Sequence, residues 1–285
     1  VTGPATGFVG LGHMGSALAA NLVAAGHELV VHDTAGPDRA VDGSTFVDDV
    51  AAVARRADVV VLSLPDGTAS EAVTALLADA DDRRVGAVVD TSTIGVAAAE
   101  RIADRLGDAG VAYVDAPVSG GVAGARARTL SVMYAGSDEA CTSVEPVLAG
   151  LSDRRRRVGD RPGLAQALKL ANNYLSATAL AATSEAVAFG RAVGLDPALM
   201  VEVIDQSSGR SAATNDKFPN HVLNGRYAAG FTNSLMAKDL QLYLDEVQAA
   251  GGPSILGDLV ASIWHAFDEH EPGADFTKIF PFIAD

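Results

Sequence analysis

Cysteine is nearly absent: the 285 residues hold one, Cys141, so no disulfide can form within the chain and a reducing, cytoplasmic setting is expected. Basic residues are few, 21 against 36 acidic ones, for a formal net charge of −15. Non-specific binding to nucleic acid or to an anionic membrane needs a broad basic face, so neither partner is expected. No apolar run approaches the roughly 18 residues that a spanning helix takes. Val1 to Thr6 lacks the basic-then-apolar pattern of a targeting segment, and a soluble chain without one is the expectation. The six histidines are too scattered to suggest a metal centre. Repeats and low-complexity tails are absent as well.

What the chain does have is apolar content. Hydrophobic residues make up 48% and charged residues 20%, enough burial to offset chain entropy and exclude a disordered ground state. In the first half, short apolar runs alternate with helical stretches. The runs are Gly7 to Val9, Leu29 to Val31, Val59 to Leu62, Ala87 to Val89 and Val111 to Val114; the helical stretches include His13 to Ala25 and Val96 to Ala109. This alternation predicts a mostly parallel, doubly wound α/β sheet, with ligands bound just past the carboxyl ends of its strands. Beyond about residue 160 the β-branched runs give way to alanine- and leucine-rich segments of helical spacing. Gly163 to Val193 reads as one long helix ended by Gly194, and Asp196-Pro197 reads as the cap and first residue of the next. The expected division is a dinucleotide-binding domain over 1–160 and an all-α domain over 161–285. Between them Arg154 to Arg157 is expected to be a solvated connecting loop.

Gly10-Leu11-Gly12-His13-Met14-Gly15 fits the dinucleotide fingerprint, whose glycines allow a tight turn, close approach of a pyrophosphate and close packing of helix on strand. The whole turn is the candidate cofactor segment; His13 and Met14 enter it as packing or rim residues. A strand ends at Val9, a helix follows and stops at Gly26, and the next strand runs into Asp33, 18 residues past Gly15. A carboxylate there accepts hydrogen bonds from ribose hydroxyls and repels a 2′-phosphate. Its neighbour is Thr34, not arginine, so NAD is expected over NADP, with Arg39 as the competing phosphate ligand.

Four separated segments carry a family resemblance: Gly10 to Gly15, Asp115 to Gly121, Lys169 to Asn173, and Phe231 to Leu240 with its Lys238-Asp239-Leu240. In these the chain resembles the β-hydroxyacid dehydrogenases over essentially its whole length. The resemblance implies a Rossmann-type domain, a helical domain joined by the long helix, and a catalytic lysine at the cleft between them. It implies Leu64-Pro65 beneath the cofactor, Thr93 at the nicotinamide or its ribose, and Lys238 reaching the same end with Asp239 orienting it. Two positions depart from the family pattern: Arg128 and Ala165 stand where glycine is usual. Both bear on the substrate side.

Hydride transfer from an alcohol needs a base for the hydroxyl proton, and the reverse reaction needs an acid. Lys169 lies in a largely apolar stretch, Leu164 to Leu170, where partial desolvation would lower an ammonium pKa toward neutrality. From the residues alone, a lysine snorkelling at a helix rim is the commoner outcome; the resemblance favours catalysis. Asn173 is four residues on and Asn172 three, both on or near the same helical face, and their amides can orient a substrate hydroxyl without adding charge. Ser119, Gly120 and Gly121 follow a strand and a proline; the consecutive glycines leave backbone N–H groups that suit a substrate carboxylate, with the Ser119 hydroxyl as an extra donor, and an ordinary glycine-rich turn is the alternative.

The expected activity is thus NAD(P)-dependent interconversion of a small anionic β-hydroxy acid and its semialdehyde or keto form. Reduction of another small carbonyl or imine is the nearest alternative, and a non-catalytic dinucleotide-binding protein a more distant one. Imine-reducing relatives generally lack the lysine. The apolar helical half suggests a homodimer or homotetramer.

Overall fold

The computed structural model describes residues 4–284. The chain divides into two compact units after Lys169.

The first unit begins with β1 (Thr6–Val9), α1 (His13–Ala24), β2 (Leu29–His32), β3 (Ser44–Phe46), α2 (Val50–Arg56) and β4 (Val59–Leu62). It continues with α3 (Gly67–Asp79), β5 (Ala87–Asp90), α4 (Val96–Asp108) and β6 (Ala112–Asp115). These six strands are parallel in the order β3-β2-β1-β4-β5-β6, the order of a doubly wound dinucleotide-binding sheet. β1, β4 and β5 are buried along their whole length, which is why they read as unbroken apolar runs. Successive side chains go to opposite faces. Val59 and Val61 join Phe8, Leu18 and Leu22 in one core, while Val60 and Leu62 join Val53, Leu77, Val88 and Ile102 in the other.

After β6 the chain turns back through β7 (Val118–Ser119), α5 (Gly121–Arg126) and β8 (Ser131–Ala135), with β8 antiparallel to β6 and β7. Next come α6 (Asp138–Ser143), α7 (Glu145–Leu151) and β9 (Arg154–Gly159), which runs parallel to β8. Here the expectation of a solvated loop at Arg154 to Arg157 fails: the arginines are an edge strand. Their side chains alternate. Arg155 pairs with Glu145 at 2.6 Å and Arg157 with Asp138 at 2.5 Å, while Arg154 and Arg156 are exposed. A strand whose outward residues are all charged cannot be read from apolar alternation, and those same charges discourage pairing with another chain's edge. β3, β7 and β8 also go beyond the five runs legible in the sequence; β3 and β7 are only three and two residues long.

α8 (Leu164–Ala192) is the expected long helix, 29 residues, with Gly194 in the left-handed region beyond its end at φ +91°. Its first six residues close the first unit and the rest open the second. The second unit continues with α9 (Pro197–Asp205), whose N-cap Asp196 accepts the Leu199 N–H at 2.8 Å as the Asp-Pro pair predicts. A π-helical stretch over Ala213–Val222 follows, then α10 (Asn233–Ala249), α11 (Ile255–His270) and α12 (Ile279–Ala284). Apart from one isolated bridge, Thr232 to Asp275, this unit is helical. Trp264 is fully buried in its core with Phe218, Leu240, Phe267 and Ile279. Among the described residues no helix is long and apolar enough to cross a membrane.

Candidate active site

The glycine-rich turn between β1 and α1 has the shape that a dinucleotide needs. Gly10 has φ +94°, and a Cβ there would strike the Ser63 carbonyl oxygen; a Cβ on Gly15 would strike the Gly10 carbonyl oxygen. A Cβ on Gly12 would meet nothing within 4 Å, so the turn is closed toward the protein and open at its middle glycine. Leu11, at its base, is fully buried, whereas Gly12 and His13 are exposed and Met14 is half-buried. The N-terminus of α1 has no side-chain cap and no acid in its first turn, leaving its N–H dipoles for an anion. Asp33, just past β2, accepts the Leu11 N–H at 2.5 Å and the Ala35 N–H at 2.8 Å, which fixes its carboxylate against the turn. Thr34 and Arg39 are exposed. These residues fit an NAD-type cofactor: Gly10 to Gly15 and the start of α1 for the pyrophosphate, Asp33 for the adenosine ribose.

Two further segments end parallel strands on the same edge of the sheet. Leu64-Pro65 follows β4, Leu64 half-buried and Pro65 exposed; Thr91 to Thr93 follows β5, with Thr93 half-buried. Ser92, buried, ties them together, because its hydroxyl accepts the Leu64 N–H at 2.8 Å. Asp90 and Asp115 end β5 and β6 side by side in register. Both are buried. Desolvation raises the Asp90 pKa against the hydrogen bond its Oδ1 accepts from the Ser92 N–H at 2.9 Å. It raises Asp115 to about 7, although the Gln166 and Gly163 N–H groups favour the carboxylate.

Ser119, Gly120 and Gly121 form the turn from β7 into α5. Gly120 and Gly121 have φ +128° and +67°, a succession that side chains on either would strain. Arg128, which stands where the family usually has glycine, is committed away from this turn. Its guanidinium donates to the Gly150 carbonyl at 2.8 Å and the Ala149 carbonyl at 3.0 Å, closing the end of α7. Arg126 is exposed.

Lys169 lies on α8 and is 7% exposed, which departs from a lysine snorkelling at a rim. In the second unit, α8 carries Asn173, buried, whose Nδ2 donates to Asp239 Oδ2 at 2.6 Å; the Asn172 Nδ2 donates to the Asn173 Oδ1 at 3.1 Å. Lys238 lies 3.1 Å from Asp239 Oδ1. The structure thus brings Asn172, Asn173, Lys238 and Asp239 into one polar cluster, with the Asp239 carboxylate shared between an amide and an ammonium. Sequence reasoning assigned no role to Gln166 and Asp90, and to Asp115 and Ser92 none beyond their places in a motif and in the hydroxyl-bearing segment after β5. The available signals were a glutamine within an apolar helical stretch and a carboxylate at the end of each of two apolar strands.

The chain is similar to known proteins over nearly its whole length. A family profile described as the NAD binding domain of 6-phosphogluconate dehydrogenase matches residues 5–159, and one described as NAD-binding of NADP-dependent 3-hydroxyisobutyrate dehydrogenase matches residues 163–283. A 3-hydroxyisobutyrate dehydrogenase of Pseudomonas aeruginosa is 37% identical over 95% of this chain and 96% of its own. The NAD-dependent L-serine dehydrogenase of the same organism is 36% identical over 90% of each chain. The structure of Mycobacterium tuberculosis 3-hydroxyisobutyrate dehydrogenase with L-serine superposes with a TM-score of 0.91 at 30% identity, over 100% of both chains.

Proposed function

The chain belongs to the β-hydroxyacid dehydrogenase family and is an NAD(P)-dependent oxidoreductase acting on CH–OH groups; from that premise we propose that it oxidises a 3-hydroxyisobutyrate-like β-hydroxy acid with NAD, using Lys169 as acid and base. When bound, the nicotinamide supplies the hydride acceptor for oxidation and the donor for reduction. Lys169 takes the proton from the substrate hydroxyl as the carbonyl forms, and returns it to the carbonyl oxygen in reduction. The observation that carries this reading is that Lys169 is buried on α8, withdrawn from bulk water, and not at a solvated helix rim. Asn173, assisted by Asn172, orients the substrate hydroxyl. Ser119 and the N–H groups at Gly120 and Gly121 hold its carboxylate, in a turn whose backbone is fixed by glycine.

On the cofactor side the proposed contacts are Gly10, Leu11, Gly12, His13, Met14 and Gly15 with Asp33 and Thr34, then Leu64, Pro65, Thr93 and Lys238. Preference for NAD is supported by Asp33, whose carboxylate is held at the turn by two N–H donors and would repel a 2′-phosphate. A substrate of the L-serine class is the second reading, favoured by the 36% identical L-serine dehydrogenase.

One assay separates these readings. The protein is supplied with NAD or NADP and a panel of 3-hydroxyisobutyrate, serine, glycerate, threonate and 4-hydroxybutyrate, and NADH or NADPH is followed by absorbance. The highest kcat/KM is expected for NAD with 3-hydroxyisobutyrate; a clear preference for NADP overturns the role of Asp33. Lys169→Ala is expected to lower kcat by about 10²- to 10⁴-fold with cofactor affinity retained. Near-wild-type turnover in that variant would remove Lys169 from the chemistry.

The proposal extends to a homodimer or homotetramer in the cytoplasm. Large apolar side chains are exposed on helices of the second unit, among them Leu175 at 64%, Phe189 at 67%, Leu199 at 57% and Ile255 at 90%, more than an isolated domain ordinarily leaves in water. Light scattering is expected to give a multiple of 29.0 kDa, and Phe189→Asp combined with Leu199→Asp to shift it toward the monomer. A monomeric wild type at micromolar concentration refutes the assembly.

A further inference from the structure

Gln166 is fully buried one turn before Lys169, and its backbone N–H and side-chain amide are all engaged. Its backbone N–H donates to Asp115 Oδ2, its Oε1 accepts the Ile94 N–H and its Nε2 donates to the Ser92 carbonyl, each at 3.0 Å. These three bonds join the first turn of α8 to two strand ends. Asp115 closes β6, and Ser92 and Ile94 flank Thr93 in the segment after β5. Ser92 carries the network onward: its N–H donates to Asp90 Oδ1 at 2.9 Å and its hydroxyl accepts the Leu64 N–H at 2.8 Å. Leu64, Thr93 and the turn leading to Lys169 therefore share one hydrogen-bonded frame within the first unit.

Such a frame is a costly way to pack a helix on a sheet. It buries two neighbouring carboxylates, and burial pushes both pKa values up, Asp115 to about 7. Apolar side chains would fill the same volume without that penalty. What polar contacts add is direction, because hydrogen bonds lose strength within a few tenths of an ångström and a few tens of degrees, whereas apolar contacts tolerate sliding. Three bonds converging on one residue fix both the rotation of the first turn of α8 and its height above the sheet. Lys169, three residues on, inherits both.

We infer that Gln166, with Asp115 behind it, is a positioning residue that sets where Lys169 stands relative to the Thr93 segment, without itself touching substrate or cofactor. The inference rests on the proposed role of Lys169.

The test is a double-mutant cycle on the full chain: wild type, Lys169→Ala, Gln166→Leu and the double variant, assayed with NAD and the best substrate of the panel. Leucine has nearly the volume of glutamine and lacks its hydrogen bonds. Gln166→Leu is expected to lower kcat by about 10- to 100-fold, the scale on which a displacement of about 1 Å acts, while KM for NAD stays within about threefold. In the Lys169→Ala background the same change is expected to cost less than about twofold, since no group remains to be positioned. A merely structural role would lower turnover by the same factor in both backgrounds. That result, or an unchanged kcat in Gln166→Leu alone, overturns the inference. Retained turnover in Lys169→Ala overturns the catalytic reading and the inference with it, so the two failures are told apart. Should circular dichroism show Gln166→Leu unfolded, Asp115→Asn, which keeps the shape, takes its place. A loss of about threefold or more is expected with Lys169 present and none without it; equal losses overturn the inference.

Discussion

At Gly12 and Gly15 one added methyl group has opposite expected consequences. On Gly15 it would fall on the Gly10 carbonyl oxygen, with the Ser63 Cβ 3.2 Å away, so the protein itself must yield. Gly15→Ala is expected to lose about 1–3 kcal/mol of stability by denaturant titration, the usual cost of overpacking a filled site, and cofactor affinity with it. On Gly12 the methyl would meet no protein atom within 4 Å. Gly12→Ala is therefore expected to leave the melting temperature within about 2 °C of wild type, as a change of under about 0.5 kcal/mol would. Its NADH affinity, measured by fluorescence titration, should nevertheless fall, because the methyl occupies the space proposed for the pyrophosphate. Unchanged affinity in Gly12→Ala would take the pyrophosphate away from this turn. The three glycines were legible in the sequence as a motif; which face of the turn each one guards was not, because that depends on where Ser63 and the start of α1 come to lie.

Among the elements, the segment from α5 to β8 depends on one residue in an unfavourable conformation. Arg128 has φ +57°, a region where L-residues other than glycine, asparagine and aspartate are rare, and the family's usual glycine would be relaxed there. The arginine offsets that strain by closing the carbonyl end of α7 through Ala149 and Gly150. Arg128→Ala keeps the strain and loses the bonds, and is expected to cost about 1–3 kcal/mol. Arg128→Gly loses the bonds and relieves the strain, so it should be about 1 kcal/mol more stable than the alanine variant. Equal stability of the two in urea would remove the strain argument. The sequence marks Arg128 as an exception to the family pattern but carries no sign of its partners, which lie 21 and 22 residues further on. The same limit hid β9. Arg155 and Arg157 become strand residues because Glu145 and Asp138 lie opposite them, and no local pattern in four arginines reports that.

For the whole molecule, the charge of −15 means that the overall field does not draw in an anionic cofactor or an anionic acid, so attraction must be local. The start of α1, free of acids, is a place where it is available. Acidic groups also shape the pH dependence of stability. Asp115 in the folded state titrates at about 7 against 3.8 for a free aspartate, so between these values the folded chain binds the extra proton and the unfolded chain does not. Stability from this group is complete below about pH 4 and is lost as pH rises toward 7, the reverse of a salt-bridged carboxylate. The groups around it are Asp90 and Tyr113, whose pKa values burial also raises, and neither reverses the sign. Asp115→Asn is expected to flatten the decline in unfolding free energy between about pH 4 and 7, measured by urea titration at stepped pH. An unaltered slope would mean that Asp115 is ionised throughout.

Five parallel strands of the first unit, the long helix and its stop at Gly194, the cap at Asp196 and the glycine turn before α1 follow from the sequence by itself. Each rests on the period of apolar residues or on the backbone freedom of one residue type, and both are local properties. Only the tertiary structure decided that the four arginines form a strand, that Arg128 closes a helix, and that Gln166, Asp115, Ser92 and Asp90 hold the turn before Lys169. Hydrogen bonds and ion pairs between residues dozens of positions apart leave no periodic trace. They exist only once burial of the apolar runs has brought the strand ends and the start of the long helix together.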